Sequence, residues 1–226
     1  GYVLRVDLRL RPDPGSTAVA IALPAAFTYY ETVGQNWERA ALIKARAIAG
    51  EKELGERFIA DLAPFIWRKY FDYAAIADVH AMKRQIHAVR GHAEVKVEGH
   101  DVKLGRGGIR EIEFFVQTQQ LIFGGRRPKL RGSRTLDMLV QLHHDGWVTA
   151  DAVKDLSVAY AYLRTIEHRL QMIADEQTQR LPSDEETLTR FAKFCGYPSL
   201  AKFSVALTKE FHRVEAHYAR LFEHAP

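Results

Sequence analysis

The sequence predicts an α+β fold that is predominantly α-helical. Most of the chain places apolar residues three or four positions apart, which is the spacing of amphipathic helices. Only a few short segments alternate apolar and polar residues with the period of two that is typical of half-buried strands. The change of pattern along the chain predicts two domains, a mixed one over residues 1–107 and a helical bundle over residues 108–226.

The predicted strands lie in the first domain. Residues 2–10 alternate until the turn formers of Arg11–Ser16, and Thr17–Leu23 is predicted as an antiparallel partner. Glu94–Val97 and Asp101–Leu104 alternate on either side of a short turn and predict a small hairpin. Because the chain opens within a strand and without an initiating Met, we expect it to be a piece of a longer protein.

Helical periodicity dominates the rest of the chain. Pro24 suits the first turn of the first helix. Further helices are predicted at about 51–70, 74–91, 108–123, 151–174 and 199–222. The segment 151–174 carries an apolar stripe over about six turns of 3.6 residues each. Ser183 is the predicted N-cap of one more helix because Glu186 follows it at the capping-box spacing.

Composition excludes several classes of protein. The single cysteine, Cys195, allows no intrachain disulfide, and its apolar neighbours predict a small buried side chain. No apolar run approaches the roughly 18 residues of a membrane span, and no signal peptide is visible, so we expect a cytoplasmic protein without a membrane partner. The net charge of +4 permits a phosphate-bearing partner. Because no tract of basic residues is present, we expect no nucleic-acid partner.

The first candidate site surrounds Asp7. Its carboxylate and the guanidinium groups of Arg9 and Arg11 project from one predicted strand and its exit. Nucleotidyl transfer needs carboxylates that hold Mg²⁺ and cations that neutralise phosphate. On spacing alone, an ion pair between Asp7 and a neighbouring arginine on a solvated sheet face is the simpler explanation.

The second candidate site is a basic segment that follows Trp37. Arg39 and Arg46 are seven positions apart and would share one face of a helix, with Lys44 nearby. Such a face is suited to grip phosphate. A solvated basic face without a ligand is the alternative, and the residues alone favour it.

The third candidate site is a glycine-rich turn ahead of a predicted helix. It contains Lys103, Gly105, Arg106, Gly107, Gly108 and Arg110. Glycines before a helix leave backbone N–H groups open toward an anion, and the cationic side chains add charge. A tight turn whose glycines supply positive φ explains the same residues equally well.

A metal centre is not supported by the remaining polar residues. Glu111 and Glu113 would share a face on a strand, but on the predicted helix they diverge by about 200°. The ten histidines form no His-x-x-x-His pair, and no cysteine lies at a ligand spacing from them. We therefore expect these histidines to be surface or interhelical residues.

Taken in order, these segments resemble the glutamine synthetase adenylyltransferase/adenylyl-removing enzyme family. The matching stretches are residues 5–12, Tyr29-Tyr30, 36–39, 44–46, 103–114 and 175–182. The sequences of residues 36–39 and 107–114 are more similar to the N-terminal, adenylyl-removing half of that family.

The resemblance implies a polymerase-beta-like nucleotidyltransferase, with the start of this chain as a short remnant of its palm. Asp7 would then be the third metal-binding carboxylate, with Arg9 and Arg11 beside the phosphates. Arg39, Lys44 and Arg46 would line the same cleft. The implied cofactor is Mg²⁺, the implied substrates or products are ATP, ADP and orthophosphate, and the implied partners are glutamine synthetase and the PII signal protein.

The sequence departs from the family pattern in one respect. It contains no Asp-x-Asp pair, and Asp7 alone would not hold two metal ions, so we expect this chain by itself to be inactive. Two other interpretations stay open from the residues. One is a helical docking module for the PII protein or glutamine synthetase, and the other is a nucleic-acid-binding helical domain, which a steep salt dependence of binding would reveal.

Overall fold

A computed structural model describes residues 8, 10–13, 15–69 and 96–223 of the chain. These residues are largely α-helical, as predicted. They divide into two compact units, the first from 1–83 and 117–134 and the second from 84–116 and 135–226. The predicted domain division after residue 107 stays a prediction.

The first unit contains short helices around an aromatic core. They are α1 (Leu23–Thr32), α2 (Asn36–Leu42), α3 (Lys52–Asp61) and α4 (Ala63–Ile66). Helix α4 packs against both α2 and α3. The buried core residues are Tyr30, Ala40, Ile43, Leu62, Ile66 and Leu121. The predicted position of Pro24 in the first turn of α1 is confirmed.

The predicted strand Thr17–Leu23 is wrong. Residues 17–22 form no ladder, and α1 begins at Leu23. The backbone N–H groups of Ser16 and Thr17 instead donate to the carbonyl oxygen of Asp13, at 3.1 and 3.0 Å. The local turn therefore takes up the first N–H group of the predicted strand. The predicted strand over residues 2–10 lies almost wholly outside the described residues.

The predicted hairpin between residues 94–97 and 101–104 is also wrong where the structure describes it. Asp101 forms an isolated antiparallel bridge with Arg180, far along the chain. The N–H groups of Val102 and Leu181 donate to the carbonyl oxygens of Gln179 and His100, both at 2.9 Å. A segment of the second unit that is distant in sequence thus provides the pairing that the hairpin prediction assigned to a local neighbour.

The predicted helix over 51–70 is broken, and the one over 74–91 lies outside the described residues. Helix α3 ends at Asp61, and α4 starts two residues later with Pro64 in its first turn. Proline has no backbone N–H and clashes with the preceding turn, so it begins a helix more readily than it continues one.

The second unit is built from longer helices. It contains the first half of α5 (Ile109–Phe123), followed by α6 (Thr135–His144), α7 (Ala150–Ala174), α8 (Glu185–Phe194) and α9 (Leu200–Glu223). Helix α7 packs against α6 and α9, and α9 also packs against α8. Leu156, Leu163, Ile166 and Leu170 of the predicted apolar stripe of α7 are buried. Tyr160 in the same stripe is partly buried, and Ile173 near the end of the helix is exposed.

The predicted N-cap of α8, Ser183, is wrong by one residue. Asp184 is the N-cap, and its carboxylate accepts the backbone N–H of Thr187 at 2.8 Å. This hydrogen bond, together with one from the Thr187 side chain, also holds the pKa of Asp184 below its usual range. Cys195, which follows α8, is buried as predicted, and burial raises its pKa. None of the described helices is long and apolar enough to cross a membrane.

Thr149→Ala should lower the free energy of unfolding by about 1 kcal/mol. The Thr149 side chain caps α7 by accepting the backbone N–H of Ala152 at 3.2 Å, and alanine leaves that donor without the cap. Urea denaturation of both proteins measures the difference. Thr149→Ser keeps the oxygen and should stay close to the original protein, and an equal loss in the serine variant would contradict the capping role.

Candidate functional site

Glu38 is the buried polar centre of the first unit. It lies in the first turn of α2 and is 4% exposed. Its carboxylate accepts the backbone N–H of Gln35 at 2.8 Å and the hydroxyl of Tyr29, which lies 3.2 Å from each oxygen. A buried charge is stable when it is hydrogen-bonded in this way. The carboxylate thereby ties the end of α1 to the start of α2.

The two adjacent tyrosines of α1 are both affected by this environment. Burial is the main cause that raises the pKa of Tyr29, and the Glu38 carboxylate beside it adds to the effect. Burial, with Glu38 and Tyr29 nearby, raises the pKa of Tyr30 to about 12. The Tyr30 ring also lies 5.2 Å from the ring of Phe65. Both hydroxyls are therefore neutral at physiological pH.

Tyr30→Phe should remove a pH dependence of stability in alkaline solution. The folded protein holds the Tyr30 proton more tightly than the unfolded chain, since its pKa is about 12 rather than 10.0. Its contribution is present below pH 10 and decreases as the pH rises toward 12, by about 2–3 kcal/mol at most. Urea denaturation at several pH values compares the two proteins. Parallel losses with pH would contradict this assignment.

A pocket of about 340 Å³ opens beside this polar centre. Its lining residues are Leu10, Tyr30, Trp37, Glu38, Ala41, Leu42, Lys44 and Ala45. The wall is mainly apolar, the Trp37 side chain is 44% exposed, and Lys44 is exposed. A mainly apolar pocket with a few polar groups is the usual form of a small-molecule site, and these sites range over about 300–1,000 Å³.

The basic segment that follows Trp37 does not form one helical face, so that prediction is wrong. Helix α2 ends at Leu42, and Arg46 lies beyond it. Arg39 is 3% exposed, and its guanidinium carbon lies 4.8 Å from the centroid of the Phe65 ring. Lys44 lines the pocket, whereas Arg46 is exposed and is not among the lining residues. Their phosphate-binding roles stay predictions, and the pocket favours Lys44.

The site around Asp7 is only partly visible. Asp7 and Arg9 lie outside the described residues. Arg11 is half-buried, and its Nη1 donates to the carbonyl oxygen of Leu8 at 2.7 Å. The catalytic role of Asp7, Arg9 and Arg11, and the metal-binding role of Asp7, stay predictions.

The glycine-rich turn uses its backbone N–H groups within the protein. Gly105 donates to the carbonyl oxygen of Asp101 at 2.7 Å, and Gly108 donates to Gly105 at 3.1 Å. The N–H of Gly107 donates to the carboxylate of Glu111 at 2.9 Å. The amides of these three glycines are therefore not open toward an anion.

The cationic side chains of the turn are paired with carboxylates. Lys103 lies 3.4 Å from Glu167, Arg110 lies 3.4 Å from Glu113, and Arg106 contacts Glu215. Arg164 also pairs with the buried Glu167, at 2.8 Å. No role is predicted for Arg164 from the sequence. These contacts all lie within the second unit and favour a structural role for Lys103, Arg106 and Arg110, whose phosphate-binding role stays a prediction.

The part of the chain that the structure describes contains no cluster of three or more His, Cys, Asp or Glu side chains that could hold a metal ion. Glu111 and Glu113 lie on helix α5 as predicted, and both are buried. Glu111 accepts the amide of Gly107, and Glu113 accepts the hydroxyl of Tyr160 at 3.4 Å. His100 lies with its ring 4.3 Å from that of Phe211, and burial lowers its pKa. The described carboxylates and histidines therefore do not fit a Mg²⁺ site.

Comparison with known proteins assigns the family. Residues 80–222 match the family model described as GlnD PII-uridylyltransferase, and residues 1–61 match the one described as glutamate-ammonia ligase adenylyltransferase. Over its whole length the chain is 62% identical to a bifunctional glutamine synthetase adenylyltransferase/adenylyl-removing enzyme of Mesorhizobium japonicum. The chain belongs to the glutamine synthetase adenylyltransferase/adenylyl-removing enzyme family.

Other members of the family show the same extent of similarity. The proteins of the same description from Brucella melitensis and Rhizobium meliloti are each 60% identical, over 100% and 99% of this chain. The chain spans 23% of the length of each of these relatives, including the Mesorhizobium protein. The family resemblance predicted from the sequence is confirmed, and a nucleotidyltransferase domain is indicated.

Proposed function

We propose that this chain is part of an enzyme that removes AMP from a modified tyrosine of glutamine synthetase by phosphorolysis. An oxygen of orthophosphate attacks the phosphorus of tyrosyl-AMP, and the bond from phosphorus to the tyrosine oxygen breaks. ADP leaves, and the tyrosine oxygen takes up a proton. The observation that carries this proposal is the similarity of the whole chain to enzymes named for adding and removing this group.

The pocket of the first unit supports a role in holding the nucleotide. The Lys44 ammonium at the pocket offers a positive charge to a phosphate group, and the mainly apolar wall suits a base. Phosphoryl-group transfer depends chiefly on positioning and on stabilising the charge of the phosphate oxygens. The residues that line the pocket would therefore position the nucleotide and stabilise the charge of its phosphate.

The family resemblance implies that Mg²⁺ would be held by Asp7 together with further carboxylates. When bound, the ion would neutralise charge on the reacting phosphate. Because the sequence contains no Asp-x-Asp pair, we expect this chain alone to release no ADP from its substrate. The identity of the nucleotides, ATP and ADP, follows from the family.

Phosphorolysis by a longer protein that contains this chain tests the proposal. Adenylylated glutamine synthetase is incubated with Mg²⁺ and orthophosphate, and ADP release is measured. Asp7→Asn should reduce the rate by a factor of about 10³ or more, on the scale of losing a charge-stabilising group. Asp61→Asn is the control, because Asp61 is an exposed residue of α3 whose ion pair with Arg57 is long, at 3.8 Å, and lies at the surface.

Each outcome has a distinct meaning. ADP release that depends on Asp7 and not on Asp61 supports the proposed removal reaction. Transfer of AMP from ATP to glutamine synthetase without ADP release would assign the chain to the adding reaction instead. Neither activity in a folded longer protein would overturn the proposal.

A docking module for the PII signal protein or for glutamine synthetase is the second candidate function. The observation that favours it is the internal pairing of Lys103, Arg106 and Arg110, which indicates a structural glycine-rich turn in a helical unit. Binding of either protein to this chain, measured by calorimetry, would favour docking if it persisted in a variant that had lost nucleotide binding.

A further inference from the structure

The loop between α5 and α6 concentrates the positive charge of the chain. This basic loop, residues 124–134, contains no acidic residue and five cationic ones: Arg126, Arg127, Lys129, Arg131 and Arg134. Their charge exceeds the net charge of +4 of the entire chain, so the remainder is on balance slightly acidic. Uncharged residues separate the cations in the sequence, which therefore shows no unbroken basic tract, but all five lie on one short loop.

A buried side chain fixes the second half of the basic loop. Gln120 of α5 is 2% exposed, and its Nε2 donates to the carbonyl oxygens of Leu130 and Gly132 at 2.7 and 2.8 Å. The Leu130 side chain is fully buried. The loop is thus anchored both by hydrogen bonds to its backbone and by an apolar side chain.

Arg131 fixes the first half of the loop. Its Nε donates to the carbonyl oxygen of Gly124 at 2.7 Å, and its Nη2 donates to that of Gly125 at 3.2 Å. Its guanidinium carbon lies 5.8 Å from the centroid of the Trp67 ring. Arg131 is therefore a structural cation, and its hydrogen bonds close the loop upon itself.

The other cations of the loop face the solvent. Arg127 and Lys129 are exposed, and among the residues that the structure describes neither side chain forms a hydrogen bond or an ion pair. Arg126 and Arg134 are exposed as well. An anchored backbone that presents exposed cations is preorganised, so little conformational entropy is lost when a partner binds.

We propose that the basic loop is a docking surface for an acidic surface of glutamine synthetase, and that Arg127 and Lys129 contact it. The inference rests on the proposed function, which supplies a protein as the substrate. It adds the place on this chain where that substrate is recognised and the kind of charge that recognises it.

The composition of the loop favours a protein partner over a nucleic acid. Sites for single-stranded nucleic acid combine cations with aromatic side chains on which bases stack, and residues 124–134 contain no aromatic residue. In the proposed reaction the substrate is a protein that also carries the negative charge of its AMP group. Complementary charge on two proteins speeds their encounter and fixes their orientation.

The test measures binding of adenylylated glutamine synthetase to a longer protein that contains this chain, by biolayer interferometry. The double variant Arg127→Ala/Lys129→Ala should raise the Kd about tenfold at low ionic strength, the scale of losing two exposed ion pairs. The difference should shrink as the ionic strength rises from about 0.01 to 1 M, because the Debye length falls from about 30 to 3 Å.

Two further double variants serve as controls. Arg127→Lys/Lys129→Arg keeps both charges and should bind nearly as the original protein does. Lys202→Ala/Lys209→Ala removes the same amount of charge from α9, where both lysines are exposed, and should leave the Kd unchanged. An equal loss of affinity in the α9 variant would show that net charge, and not the basic loop, determines binding, and would overturn the proposal.

Phosphorolysis by the same proteins identifies the ligand of the loop. Arg127→Ala/Lys129→Ala should raise the KM for adenylylated glutamine synthetase and change kcat little, because docking precedes the reaction. The KM for orthophosphate should stay the same. A higher KM for orthophosphate with unchanged binding of glutamine synthetase would make the loop a phosphate site and overturn the docking surface.

The outcomes separate this inference from the proposed function. A selective loss of affinity in Arg127→Ala/Lys129→Ala, together with an absence of phosphorolysis in the original longer protein, would keep the docking surface and remove the proposed reaction. Phosphorolysis with the same KM for glutamine synthetase in the original protein and in this variant would keep the reaction and remove the docking surface.

Discussion

Gly107→Ala should lower the free energy of unfolding of the second unit by about 3–5 kcal/mol, the combined scale of a left-handed backbone and an overpacked contact. Gly107 has a φ of +71°, which side chains other than glycine rarely adopt. A Cβ atom there would lie 2.6 Å from the Cα of Phe211. That neighbour is backbone within helix α9 and has no rotamer by which to move away.

Gly146→Ala is the matched control for this variant. Gly146 has a φ of +82°, but no atom of the described residues beyond its chain neighbours lies within 4 Å of the Cβ that alanine would add. Alanine there therefore meets the backbone cost alone, about 1–2 kcal/mol. Urea denaturation, followed by circular dichroism, gives both values. Equal losses of unfolding free energy in the two variants would show that the close approach of Phe211 does not add to the cost of Gly107→Ala.

Glu38→Leu should lower the free energy of unfolding of the first unit by about 2–3 kcal/mol, the scale of hydrogen bonds to a buried charged group. The change leaves the Tyr29 hydroxyl and the Gln35 N–H without their acceptor. It should also abolish AMP binding, because the connection between α1 and α2 shapes the pocket.

Glu38→Gln and Glu53→Gln separate the reasons for this loss. Glu38→Gln keeps one oxygen acceptor and should lose about half as much stability, near 1 kcal/mol. Glu53 is an exposed residue of α3, and its replacement should change little. The same denaturation experiment covers all three variants. A stable Glu38→Leu protein that still binds AMP would contradict the role given to the carboxylate.

The parts of the fold that the sequence predicted are those set by local pattern. The stripe from Leu156 to Leu170 predicted α7, because helical periodicity alone determines which face is buried. The segment Thr17–Leu23 also alternates, but no partner strand accepts its hydrogen bonds among the described residues. The bridge between Asp101 and Arg180 joins residues far apart in sequence, and no local pattern records such a pairing.

In the candidate site, too, local sequence pattern predicts some features, whereas contacts between helices are not predicted by it. Lys44 lines the pocket, and the phosphate-binding role that the sequence predicts for it stays a prediction. Arg39 lies over the ring of Phe65 from another helix, a contact that the basic spacing alone does not predict. Glu38 had one usable sequence feature, its position three residues after Gln35 at the start of a helix, which is the spacing of a capping box. Arg164 had another, an i,i+3 relation to Glu167.

Photolabelling with 8-azido-AMP tests most directly the claim that the first unit holds the nucleotide. The labelled chain is digested, and the modified residues are identified by mass spectrometry, with excess AMP as the competitor. We predict that the label lies in the peptide that contains Trp37 or in its neighbour with Lys44, and that AMP removes it. AMP-protected labelling confined to residues 103–110 would contradict the account and assign nucleotide binding to the glycine-rich turn.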